Sequence, residues 1–176
     1  MTASTETISC IGCGAAVPDV DYPFGRSEKY PAALSPGCWK LYCEDILVRE
    51  YGEWEYPPIH RLTVDAYWAQ HPGRETPQTT QSVIVHLTSI NLVVYEDVSC
   101  ETATKKIGQL TKKYNDDFSW LEPPANRGDI TVVDVAEARD LDEHTELVRD
   151  WARSVWQAWE KHHPTLEQWT KRAVES

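Results

Sequence analysis

Phenylalanine and methionine are nearly absent, with two Phe and one Met in 176 residues, so any core must be filled by other rings and by aliphatic side chains. No run approaches the roughly 18 consecutive apolar residues of a membrane helix. The first ten residues carry neither Lys nor Arg nor an apolar stretch of secretory type. Together these predict a cytoplasmic chain that does not engage a membrane. Positive charge is also short. Lys and Arg number 17 against 28 Asp and Glu, giving a net charge of −11 and a pI near 4.9, which removes most of the electrostatic drive toward nucleic acid. A Gly-rich phosphate loop, a G-x-S-x-G elbow and an H-E-x-x-H pair are all missing, which argues against nucleotide transfer, α/β-hydrolase chemistry and the common zinc proteases. Sheet signals are scarce and there is no internal repeat.

What is abundant is tryptophan and tyrosine, eight of each. Every buried indole N–H or phenol O–H needs a partner, so the interior should contain hydrogen bonds. The length suits one domain over 1–176. Within it, residues 1–37, broken by prolines at 18, 23, 31 and 36, read as an irregular arm, and 38–176 as a helical body.

Apolar periodicity marks the helices of that body. Trp39, Tyr42, Cys43 and Ile46 predict one from about Cys38 to Gly52. After Pro57-Pro58, the stripe Ile59, Leu62, Ala66, Ala69 and a second one, His60, Val64, Tyr67, His71, predict a helix buried on two sides and ending at Pro72-Gly73. Val83, Leu87, Ile90 and Val94 mark a third, from Thr80 to about Asp97. Ala103, Ile107, Leu110 and Tyr114 mark a fourth. Thr131 with Asp134 reads as the cap of a brief helix. Val148, Trp151, Val155, Trp159 and His162 form a last amphipathic stripe up to Pro164, with Leu166, Trp169 and Ala173 continuing beyond it. Its tryptophans are core at this spacing, while Trp120, in the rigid Trp120-Leu-Glu-Pro-Pro124 loop, is the better ring for a pocket mouth. The architecture expected is an all-α bundle with a Cys-containing arm.

Several stretches carry a resemblance: Cys10-Ile-Gly-Cys-Gly, Ser35-Pro-Gly-Cys-Trp39, Val48-Arg-Glu-Tyr51, His60-Arg-Leu-Thr-Val-Asp-Ala-Tyr67 with Gln70-His71-Pro72, Gln81-Ser-Val with His86-Leu87, Trp120-Leu-Glu-Pro-Pro124, and Ser154-Val-Trp with Trp159 and His162-His163. They resemble a bacterial family known only as a domain of unknown function. The resemblance spans nearly the whole chain and implies one domain but no particular reaction. Cys43 lies outside its pattern.

Five cysteines, an odd number in a cytoplasmic chain, suit thiolate ligands better than disulfides. Cys10-x-x-Cys13, with Gly12 and Gly14 beside it, can turn two thiolates toward one zinc ion. Cys38, at the junction of arm and helix, is the third candidate ligand, and His162 or His163 the fourth. Cys43, roughly 140° around the helix from Cys38, reads as core. Such an ion would supply the folding energy the arm lacks. A second constellation is internal. His60, His71 and His86, with Asp65 or Tyr67 to orient them, are candidate catalytic residues around a metal held between helices. His60 and His71 themselves lie roughly 16 Å apart along one helix and cannot share an ion. Asp65 can pair with Arg61 or orient a histidine on another helix. His144, among Asp140, Asp142, Glu143 and Glu146, reads as solvated. The function expected is a metal-dependent enzyme, a hydrolase or transferase acting on a small molecule; the alternative is a non-catalytic zinc-stapled scaffold that binds a protein partner through its acidic surface.

Overall fold

The structure, a computed structural model, describes residues 6–23 and 33–175. Part of the arm, including Pro31, lies outside the described residues. The rest of it is more regular than expected. β1 (Thr7–Ser9) and β2 (Ala16–Pro18) pair antiparallel, with Ile8 opposite Val17, and the Cys10–Gly14 turn lies between them. Only this hairpin departs from an all-helical architecture among the described residues.

α1 begins at Pro36–Lys40, with proline in its first turn, where a missing N–H costs nothing. Its continuation is wider: Leu41–Leu47 and Arg49–Glu53 are π-helical. α2 (His60–Gln70) buries eight of its eleven residues, as its two stripes require. α3 (Pro77–Val94) starts three residues earlier than its apolar periodicity indicates, because Thr76 and Thr79 form a reciprocal cap. α4 (Cys100–Tyr114) follows, then α5 (Val132–Ala136), capped by Thr131 and Asp134 as expected. α6 (Leu141–Ala158) and α7 (His163–Val174) are separate helices, divided by a single tight turn at Glu160–His162.

α2 packs between α3 and α6, and α7 closes over α3 and α4. The interior is as polar as the Trp and Tyr content demands. Trp151 Nε1 donates to Gln70 Oε1 at 2.8 Å, and Gln70 Nε2 donates to the carbonyls of Arg127 and Ile130. One side chain therefore ties α2 to α6 and to the loop ahead of α5. Trp159 Nε1, also buried, finds no partner among the described residues. No helix among them is long and apolar enough to cross a membrane.

Candidate metal centre

The C-terminal end of α2 meets the hairpin and the start of α1, and three cysteines and one histidine converge there. The sulfurs of Cys10, Cys13 and Cys38 and a ring nitrogen of His71 all lie within 4.8 Å of one another. Cys13 Sγ is 4.0 Å from Cys38 Sγ, while His71 Nε2 is 3.3 Å from Cys38 Sγ and 3.7 Å from Cys10 Sγ. A tetrahedral ion with metal–sulfur bonds of about 2.3 Å places its ligands about 3.8 Å apart, so the group already has the dimensions of a Cys3His site. All four side chains are buried, at 3, 8, 0 and 3 % exposure in chain order.

Local chemistry explains how each donor arrives. Gly14 N donates to Cys10 O at 2.9 Å and Cys10 N to Ala15 O at 2.8 Å, closing the turn that faces Cys10 and Cys13 the same way. Gly12 permits the histidine to approach, because a Cβ at that position would stand 2.2 Å from His71 Cδ2 and 2.4 Å from the Ala33 carbonyl oxygen. Ser35, next to the first turn of α1, accepts from Ile11 N at 3.2 Å and fastens the turn beside Cys38. His71 ends α2, where its Nδ1 bonds the Tyr67 carbonyl oxygen at 2.6 Å. That bond places the proton on Nδ1 and turns the Nε2 lone pair toward the sulfurs, the usual outer-shell arrangement of a metal-bound imidazole. Arg127 reaches from the loop before α5 to the carbonyls of Ile11 and Gly12, bringing positive charge to the thiolates.

Three thiols this close cannot all ionise without a cation. Hydrogen bonds from Cys13 and Cys38 push the Cys10 thiol well below its ordinary value against the opposing effect of burial. Bonding to Cys10 and Cys13, together with burial, drives Cys38 far upward. Burial alone would lower the His71 imidazole, but bonds to Cys10 and Cys13 raise it to about 9. Without metal, Cys10 and His71 thus form a thiolate–imidazolium pair beside the retained Cys38 thiol, and a divalent ion held here would displace the protons of His71 and Cys38.

A family model of unknown function, DUF5946, matches residues 8–160, a span that contains all four donors. The chain belongs to this family. No curated protein and no solved structure matches the chain.

Within the DUF5946 chain the remaining candidate residues fall elsewhere. The fourth member of the metal-competent group is His71; His162 and His163 are not in it. His162 Nε2 bonds the Glu122 carbonyl oxygen and His163 Nε2 that of Trp156, each at 2.9 Å. The hairpin docks on the end of α2, against His71. Tyr67 touches the group through its hydroxyl, 3.6 Å from Cys38 Sγ, and its ring stacks on Tyr42. His60 and His86 are not in the metal-competent group. His86 Nδ1 bonds Asp65 Oδ1 at 2.8 Å, and Asp65 Oδ2 accepts from Arg61 Nε at 2.8 Å, so Asp65 both pairs with Arg61 and orients a histidine on another helix. Trp120 is half-buried, with its indole directed to Glu122.

A second polar centre escaped the reading of the sequence. Glu50, fully buried in the π-helical part of α1, accepts from His60 Nδ1 at 2.6 Å, His144 Nε2 at 2.7 Å and Thr63 Oγ1 at 2.6 Å. Burial raises a carboxyl, yet the bonds from His144, His60 and Thr63 outweigh it and hold Glu50 below its ordinary value. His144, expected in solvent, is 1 % exposed because its acidic neighbours occupy the outer face of α6. It lies four residues before Val148 on the apolar stripe, and Glu50 lies four after Ile46, so periodicity carried both signals.

Proposed function

We propose that this chain is a single-domain, zinc-stapled helical scaffold, in which Cys10, Cys13, Cys38 and His71 hold one zinc ion that clamps the N-terminal hairpin to the end of α2. The observation that carries this reading is that four donors from three separate segments converge, all buried, with the histidine's second nitrogen already anchored. Soft thiolates with one imidazole suit zinc, and four protein ligands fill a tetrahedral shell. A hydrolytic metal keeps a position open to water, and this enclosure favours the structural role over the metal-dependent enzyme. His71 acts as a ligand rather than a base, and Tyr67 as a hydroxyl against the Cys38 sulfur. When bound, the ion supplies a fixed positive charge that keeps the thiols ionised; Arg127 offsets the charge of the third thiolate. Thiols that must remain reduced favour the cytoplasm as the working compartment.

Elemental analysis of protein purified under reducing, metal-replete conditions tests this. We expect about one zinc per chain, retained by His162→Ala and lost by Cys38→Ser, with a chelator lowering the melting temperature of the parent. Parent protein that carries no zinc, or that melts identically with and without chelator, overturns the reading.

A further inference from the structure

A cleft of about 900 Å³ opens at the other end of α2, between the start of that helix, the start of α4 and one face of α6. That volume suits a small organic ligand. His60 and His71 stand at opposite ends of α2, roughly 16 Å apart, so this cleft is distinct from the metal centre.

Three features show it to be built rather than incidental. Glu55 and Tyr56, neither of them glycine, both have left-handed backbone, with φ of 50° and 60°. Consecutive residues in that region cost free energy that the surrounding structure must offset, and such strain gathers at binding sites. Here it holds the Tyr56 ring at the cleft, 59 % exposed, 5.4 Å from the ring of Tyr51 and 4.5 Å from that of His60. Second, His60 is not a free side chain. Its Nδ1 is held by the buried Glu50 carboxylate, itself fixed by His144 and Thr63, and the Tyr51 hydroxyl lies 3.3 Å from its Nε2. Glu50 is a positioning residue, and it sits in the π-helical segment, a distortion common at functional sites.

Third, two charged side chains in the cleft are left without an ion pair. Arg61 is engaged by Asp65, and Lys105 by Glu101 at 2.7 Å. Asp97 lines the wall without forming an ion pair, and so does Arg149, which is exposed and has neither a hydrogen bond nor an ion pair among the described residues. On a chain of net charge −11, an arginine that forms no ion pair, lining the same cleft as an exposed tyrosine ring, marks a place for an anion carried on a ring.

We propose that this cleft binds a small aromatic oxyanion, with Arg149 taking the anionic group and Tyr56 the ring. Phosphate and carboxylate share this chemistry, and two probes separate them. Zinc-loaded, full-length protein is titrated with phenyl phosphate, benzoate and inorganic phosphate, and binding is followed by calorimetry and by the ¹H–¹⁵N signals of the histidine rings. The expected result is saturable binding of at least one ring-bearing anion, with a perturbed His60 signal. Arg149→Ala should weaken it about tenfold or more, while Arg153→Ala, outside the cleft, leaves it unchanged. Tyr56→Gly removes the ring and also relieves the strained backbone. It should reduce the ring-bearing probe to the affinity of inorganic phosphate. Failure of both ring-bearing probes to bind, binding indifferent to Arg149, or inorganic phosphate binding as tightly as phenyl phosphate overturns the proposal. Each result is read on protein whose zinc content is unchanged, so loss of the metal reading and loss of this one are separable.

Discussion

Gly12 and Gly14, two residues apart in the same turn, should respond differently to the same mutation. In Gly12→Ala the new methyl must move from 2.2 Å to at least about 3.4 Å from His71 Cδ2, a displacement of 3.4 − 2.2 = 1.2 Å. The imidazole cannot swing aside without breaking its 2.6 Å bond to the Tyr67 carbonyl, and the second obstacle, Ala33 O, is backbone. Metal–ligand distances tolerate about 0.2 Å, so the histidine or the turn that carries Cys10 and Cys13 is lost as a donor. Disturbing groups that only support ligands already costs about 10- to 100-fold in affinity, so we expect Gly12→Ala to bind zinc at least about 100-fold more weakly, equivalent to about 2.7 kcal/mol. Gly14 has φ of +79°, and a methyl added there would meet nothing within 4 Å. Gly14→Ala should therefore lose about 1 kcal/mol of stability through backbone strain alone and keep its zinc affinity within about tenfold. Competition with a chromophoric chelator measures the first quantity and urea denaturation of the zinc-loaded protein the second. Zinc affinity of Gly12→Ala within about threefold of the parent, equivalent to under 1 kcal/mol, would refute the reasoning.

Zinc affinity should climb with pH. Without metal, the Cys38 thiol is held protonated and His71, raised to about 9, is cationic at neutral pH, so binding displaces at least these two protons and the apparent constant gains at least about 100-fold per pH unit, less steeply above about 9. A flat profile in chelator competition contradicts this. Glu50→Gln should cost about 2–4 kcal/mol in urea denaturation, because an amide cannot accept from His60, His144 and Thr63 together. The Glu50 carboxyl is depressed in the folded state, so its contribution is present above the ordinary glutamate range and disappears as pH falls through the folded value; the variant should lack that part of the acid sensitivity. Equal acid profiles for the two proteins count against it. Gln70→Leu should lose about 1–3 kcal/mol by orphaning the Trp151 indole and two loop carbonyls, read by thermal melting.

The helices were legible because their stripes are local. Thr131 with Asp134, and the doubly buried α2, needed no tertiary information. Cys10, Cys13 and Cys38 were legible as donors for the same reason: a glycine-rich turn and a helix start have recognisable chemistry. His71 was visible as an inward residue but not as the fourth member of the cysteine group, since nothing in local spacing says which end of the bundle the hairpin covers. Reading His144 by its acidic neighbours misplaced it, whereas the interval to Val148 assigns it to the interior. Glu50 was hidden by its type. A carboxylate on the Tyr42 and Ile46 stripe looks like a break in the pattern until the two imidazoles that compensate its burial are in view.

Cys10 and His71 stand 61 positions apart. An ion gripped by both would act as a removable cross-link over a loop of that length, and loop-entropy arithmetic values such a closure at about 4 kcal/mol. The ring cannot close until the carboxyl end of α2 exists to offer its imidazole. A bound ion would thereby order assembly in time, helices before hairpin, with metal supply deciding whether the final step is taken.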